Sequence, residues 1–202
     1  MRKLLWLNPV VKNMYDFSAL KELLQNKGFN IVECEKDHVS DIKNSHKNLC
    51  SKGMVLDSRC PRAVNFIRSN FKEFSNNISN LNPILIESAI ELSSNLKENE
   101  WLYITTPCED LAELGNSLKL ERTTFLTWKK FKELNDINLQ INKIESSPIP
   151  PGFFENLGIK TLSLCSKEKI QNAFSYKFSE LKNYQIIELL YCENGCHNGD
   201  GL

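Results

Sequence analysis

Apolar and polar positions along this chain switch repeatedly between two periods, and the switches outline the fold. Residues 3–7 (KLLWL) are a short apolar run closed by Asn8-Pro9, as in a buried strand. Residues 16–27 (DFSALKELLQNK) carry apolar side chains at helical spacing and stop at Gly28, a helix terminator. Residues 29–33 (FNIVE) alternate like a second strand, which completes a β-α-β unit. The polar, charged segment 35–50 reads as a solvated loop with a weak helix.

Met54-Val55-Leu56 is a short strand that runs into the Cys60-Pro61 turn. Proline favours a first helical position, and Val64, Ile67, Phe71 and Phe74 keep helical spacing, so a helix is predicted over 61–74. A second helix is predicted over 84–97, capped by Asn82 or Pro83. Residues 101–105 (WLYIT) form a strand ending at Pro107-Cys108, and 123–126 a strand whose next residue, Thr127, caps a helix. Residues 146–158 hold three prolines and two glycines and read as loop. A strand over 160–165, a helix over 166–176 capped by Ser166, and a strand over 185–190 (QIIELL) complete the pattern, without internal repeats. The expected class is α/β, with two adjoining βα lobes.

Charge narrows the partners. The 25 basic residues balance 25 acidic ones, which argues against nucleic acid or an anionic membrane surface as an obligatory partner. No apolar run approaches the roughly 18 residues of a membrane span. The apolar stretch behind Arg2 and Lys3 is cut short by Asn8 and Pro9, so no secretory signal is expected and a cytoplasmic location is. Seven cysteines in such a chain suggest free thiols plus a metal site rather than a disulfide scaffold.

Four of those cysteines stand in loops suited to a metal. Cys192 and Cys196 are four apart, with Gly195 before the second and Gly199 and Gly201 behind it; Cys60 and Cys108 each adjoin a proline. Glycines let a backbone turn tightly beside a bulky group. The strands over 54–56, 101–105 and 185–190 each end close to one of these loops, and ligands of open α/β sheets bind at the carboxyl ends of strands. One sheet is therefore expected to bring Cys60, Cys108, Cys192 and Cys196 to a common edge, where four thiolates suit one [4Fe–4S] cube. Tetrahedral zinc is the rival metal, although its usual C-x₂-C pairs are missing. Any one cysteine alone reads equally as a small buried hydrophobe.

The remaining polar residues have plainer readings. Cys34, Cys50 and Cys165 match no motif and read as structural thiols. His197 is a loop residue beside the candidate cluster, with a ligand or proton-carrying role as the alternative. His38 and His46 are expected to be solvated and Asp57 to cap the next helix, while Glu188 reads either as a motif glutamate or as a solvated strand-end carboxylate. Arg59 either neutralises an anionic cluster or is exposed. Phe153 and Phe154 look like a plug into the core.

The cysteine loops resemble those of the catalytic, H-cluster domain of the [FeFe]-hydrogenases and their hydrogenase-like relatives. The family's motifs look like Thr-Ser-Cys-Cys-Pro, Pro-Cys-x-x-Lys and Glu-x-Met-x-Cys-x-x-x-Cys. Here they stand in the same order as Asp57-Ser58-Arg59-Cys60-Pro61, Pro107-Cys108-Glu109-Asp110-Leu111 and Glu188-Leu189-Leu190-Tyr191-Cys192-x-x-x-Cys196. The phrase Leu126-Thr127-Trp128 looks like sensory-type members. The likeness covers roughly 52–202, which sets an expected division into an N-terminal βαβ lobe segment, 1–50, and a hydrogenase-like cluster-binding region, 51–202.

The resemblance implies that Cys60, Cys108, Cys192 and Cys196 hold a [4Fe–4S] cube. It also implies that the two-iron subcluster is lost, because its proton-relay cysteine, contacting lysine and packing methionine fall at Arg59, Leu111 and Leu190. No Cys-rich ferredoxin segment accompanies them. Three roles follow: electron transfer or redox sensing with a redox or signalling partner, a low-activity hydrogenase-type oxidoreductase, and an iron–sulfur assembly or structural protein.

Overall fold

The first strand, β1 (Arg2–Trp6), delivers Asn8 to the start of α1 (Pro9–Met14), where its side chain accepts from Val11 N at 3.1 Å and caps the helix. Asp16 caps α2 (Phe17–Asn26) in the same way, and Gly28, at φ +82°, turns the chain into β2 (Phe29–Ile31). This computed structural model describes residues 1–142, 147–176 and 178–202, so residue 146 of the expected 146–158 loop lies outside the described residues.

The segment expected to be mostly loop is a twelve-residue helix, α3 (His38–Leu49), capped by Asp37. Its sequence is polar, yet Ile42 and His46 fall one turn apart on a buried side. After β3 (Val55–Leu56), Pro61 opens α4 (Pro61–Asn70); beyond it the backbone tightens into the 3₁₀ stretch Lys72–Asn77. Then come α5 (Ile84–Ser94), β4 (Glu100–Thr106) and α6 (Glu109–Ser117). The sequence reading has no counterpart for α6, whose apolar side is only Leu111, Ala112 and Leu114. The chain continues through β5 (Thr123–Thr127), α7 (Trp128–Leu134), β6 (Thr161–Cys165), α8 (Lys167–Tyr176), α9 (Phe178–Leu181) and β7 (Ile186–Leu190).

The strands build two all-parallel sheets, not one. The first has the order β2-β1-β4-β5 and the second β3-β7-β6. The common edge expected for all three cysteine-bearing strands is therefore corrected: β4 lies in one sheet, β3 and β7 in the other. The cause is in the pairing, since β3 takes β7 as its strand partner (Leu56↔Ile187) and bridges Ile78, while β4 inserts beside β1 (Leu4↔Leu102).

Each sheet belongs to its own compact unit. Unit 1 comprises 1–36, 85–149 and 196–202; unit 2 comprises 37–84 and 150–195. Parallel sheets need cover on both faces, and each has it. In unit 1, Leu5 and Leu7 enter a core with Trp128 and Phe131, while Leu4 and Trp6 enter a second core with Ile86, Leu102 and Phe125. In unit 2, Leu56, Ile187 and Leu189 pack with Ile67 and Phe174, and Val55 and Ile186 pack with Phe154. The result is a mixed α/β chain. None of its described helices is long and apolar enough to cross a membrane.

Candidate functional site

In unit 2, neighbouring strands β3 and β7 deliver two candidate ligands. Cys60 follows β3 by four residues and Cys192 follows β7 by two. Cys60 is the N-cap residue of α4, and its carbonyl accepts from Val64 N at 3.0 Å. Burial pushes its thiol up to about 11. The N–H groups of Tyr191 and Ala63 pull against burial, while the charges of Cys192 and Asp57 push with it. Cys60 and Cys192 are thus near enough for the charge of one to act on the other.

A buried charge network lies directly against this loop. Asp57, Arg59 and Glu188 are 0%, 8% and 0% exposed. Arg59 donates to both Asp57 oxygens, Nε at 3.0 Å to each and Nη2 at 2.8 Å, and to Glu188 Oε1 at 2.7 Å. The Phe153 ring covers the guanidinium at 3.7 Å and Phe154 lies 4.6 Å away. Glu188 also accepts from Gly152 N, Phe153 N and the Ser163 hydroxyl. His46 stands 3.6 Å from Asp57, with Nδ1 donating to the Ile42 carbonyl and Nε2 facing Ser79 Oγ at 3.2 Å. Burial pushes His46 below its ordinary value, against the opposing pull of Asp57.

These positions correct several sequence expectations. His38 and His46 are buried rather than solvated, because the polar segment is a helix with an inner face. Glu188 is fully buried, and Asp57 caps nothing: it is consumed by Arg59. Arg59 is not exposed, and its charge faces two carboxylates. Phe154 is the buried plug expected. The one available sequence signal was Glu188 itself, a carboxylate inside the apolar run QIIELL that needs a cationic partner if the strand is buried.

In unit 1, β1 and β4 are neighbours whose onward connections run to opposite sides of the sheet, to β2 and to β5. Such a switch point opens a crevice at the strand carboxyl ends. Asn8 N bonds Thr105 Oγ1 at 3.0 Å and ties the two ends together. Cys108 lies two residues past β4, and its carbonyl accepts from Thr106 Oγ1 at 2.8 Å.

The segment 196–202 packs on the same loop. Gly201 N donates to the Pro107 carbonyl at 3.1 Å, Glu109 N to Asp200 Oδ1 at 3.2 Å, and Lys129 N to the Gly201 carbonyl at 2.8 Å. A Cβ on Gly199 would stand 2.1 Å from Pro107 O, and one on Gly201 3.0 Å from Cys108 Cα. The glycines behind Cys196 thus serve a close backbone approach to the Cys108 loop. The four candidate thiols divide evenly, Cys60 and Cys192 in unit 2 and Cys108 and Cys196 in unit 1. All four are partly accessible, whereas Cys50 and Cys165 are buried.

No protein-family model matches the sequence, and no curated protein does. Solved structures match over nearly the whole chain. An [FeFe]-hydrogenase studied for oxygen inactivation through degradation of its H-cluster 2Fe subcluster aligns with a TM-score of 0.67 at 8% identity, covering 99% of this chain and 80% of its own. The chain has a hydrogenase-like fold. Two further [FeFe]-hydrogenase structures agree. HydA(deltaEFG), described in stepwise H-cluster assembly, gives a TM-score of 0.62 at 9% identity over 99% and 79% of the two chains. A Glu-to-Ala variant of HydA1 from Chlamydomonas reinhardtii gives 0.67 at 10% over the same shares. At such identities the likeness is one of backbone, and function must be argued from the site. In this hydrogenase-like chain Leu111 and Leu190 are buried apolar residues, Leu111 within the core of unit 1.

Proposed function

We propose that the chain holds one [4Fe–4S] cluster on Cys60, Cys108, Cys192 and Cys196 and serves electron transfer or redox sensing without efficient hydrogen turnover. The observation that carries this reading is the pairing within each unit. Cys60 and Cys192 leave the carboxyl ends of adjacent strands, and the segment bearing Cys196 is seated on the Cys108 loop. The donor set fits the group: four partly accessible thiols, with N–H groups aimed at the Cys60 sulfur. His197 adds a buried Nδ1 with no hydrogen-bond partner among the described residues, one position past Cys196. When bound, the cluster supplies one-electron redox chemistry.

The chain's own residues argue against turnover. Arg59 stands where the resemblance places a proton-relay thiol, and its guanidinium is committed to Asp57 and Glu188. Cysteines outside disulfides suit a reducing, cytoplasmic setting, and a redox protein or signalling partner would accept or read the electron. The test is iron and sulfide assay after anaerobic reconstitution. About four of each per chain, one cube's worth, lost in Cys192→Ser, is the expected result. Stoichiometric zinc without sulfide overturns it.

A further inference from the structure

Cys165 belongs to no cysteine motif, and its sulfur nevertheless closes the turn that presents Cys192. It ends β6, where its backbone pairs with Leu190 of β7, and the next residue donates Ser166 N to the Leu190 carbonyl at 3.0 Å. From this fixed point the thiol donates to the Cys192 carbonyl at 3.1 Å. In return the backbone N–H groups of Asn194 and Gly195 are directed at the same sulfur. Asn194 and Gly195 have φ of +59° and +113°, and Gly195 N lies 3.4 Å from the Cys192 carbonyl. Successive amides in a turn make a concave cradle for an electron-rich atom. Here the cradle is filled by a side chain from the neighbouring strand.

We infer that Cys165 is a positioning residue whose sulfur, as both donor and acceptor, holds the Cys192–Gly195 turn in the conformation that presents the Cys192 thiol. Three contacts on one atom distinguish this from simple burial of a small apolar side chain. An apolar residue of equal size fills the space and leaves a carbonyl and two amides without that partner. A hydroxyl keeps the same donor and acceptor roles on a slightly shorter reach. The positioning does not depend on a cluster; only its use for the cluster rests on the function proposed above.

The test compares Cys165→Ser with Cys165→Val in the full chain. Hydrogen exchange of the Asn194 and Gly195 amides is measured in the metal-free protein. Val is expected to speed exchange at both amides by roughly five- to tenfold, the effect of losing a typical hydrogen bond, while Ser stays within about twofold of the parent. Amides of β6 and β7 serve as the reference, and Cys165→Ala replaces Val if Val does not fold. Equal exchange in Val and parent, or faster exchange in Ser than in Val, overturns the inference. Reconstituted samples add a second readout: Ser keeps the parent's electron paramagnetic resonance signature and Val alters it. An identical signature in Val rejects the use of this positioning for the cluster. A parent that takes up no iron fails the cluster reading alone and leaves the amide result standing.

Discussion

Arg59 Nη2 donates to Glu188 Oε1 at 2.7 Å, joining residues 129 positions apart, one just beyond β3 and the other within neighbouring β7. The same guanidinium holds Asp57, so a single cation serves two buried carboxylates. Pairs of this kind contribute little over an apolar replacement, but removing one member alone leaves uncompensated buried charge. Arg59→Met is therefore expected to destabilise unit 2 by about 3–5 kcal/mol, read from urea unfolding of the metal-free protein. Arg59→Met combined with Glu188→Gln should cost less than the two single changes summed, because the second relieves part of the charge the first strands. Strict additivity would mean that the two side chains do not act on each other.

His46 gives the fold a pH dependence of known sign. Burial holds its pKa below the ordinary value, so the folded state binds a proton less readily than the unfolded chain. The contribution is fully present above the unfolded value of about 6.5 and is lost as pH falls below it, toward the lower folded value. The urea midpoint of the parent should thus fall more steeply from pH 7 to pH 5 than that of His46→Gln. Parallel curves for the two proteins would show that His46 titrates equally in both states.

Gly199 is where the close approach of the 196–202 segment to the Cys108 loop can be broken by one methyl group. The added carbon would meet Pro107 O at 2.1 Å, a backbone atom that cannot swing aside. Gly199→Ala is expected to cost about 1–3 kcal/mol, the range for overpacking, and to speed exchange of the Gly201 amide, which bonds the same carbonyl. Iron uptake should fall with it. An unchanged Gly201 amide would mean that the segment shifts without losing its seat.

The alternation of β and α elements, the Cys60-Pro61 helix start and the Thr127 cap were legible because each rests on local chemistry. Strand partners were not. Nothing local to 101–105 or 185–190 says that one joins β1 and the other β3. The α3 helix was read only as a weak helix within a loop because its buried side carries His46 in place of an apolar residue. The network of Asp57, Arg59 and Glu188 was missed for a related reason: each residue alone favours solvent, and only tertiary pairing makes burial tolerable. Cys165 offered no signal at all, since its partners are backbone atoms of another segment.

Hydrogen turnover is the last prediction. The resemblance puts a proton-relay thiol at position 59 and a cation for an anionic ligand at position 111; the chain has Arg59 and Leu111. Arginine stays protonated at any working pH and cannot accept the proton. A missing charged hydrogen bond removes about 1.5–3 kcal/mol of ligand binding. No hydrogen evolution is expected with a strong reductant, even after treatment with a synthetic two-iron complex. Restoring the two residues is not a remedy in this fold. Arg59→Cys strands Asp57 and Glu188, and Leu111→Lys puts an ammonium into the core formed by Leu102, Ile104 and Phe125. The double variant should lose thermal stability and still evolve no hydrogen in a gas-chromatographic assay. Sustained turnover by the unaltered protein would reverse this reading and make the chain an enzyme.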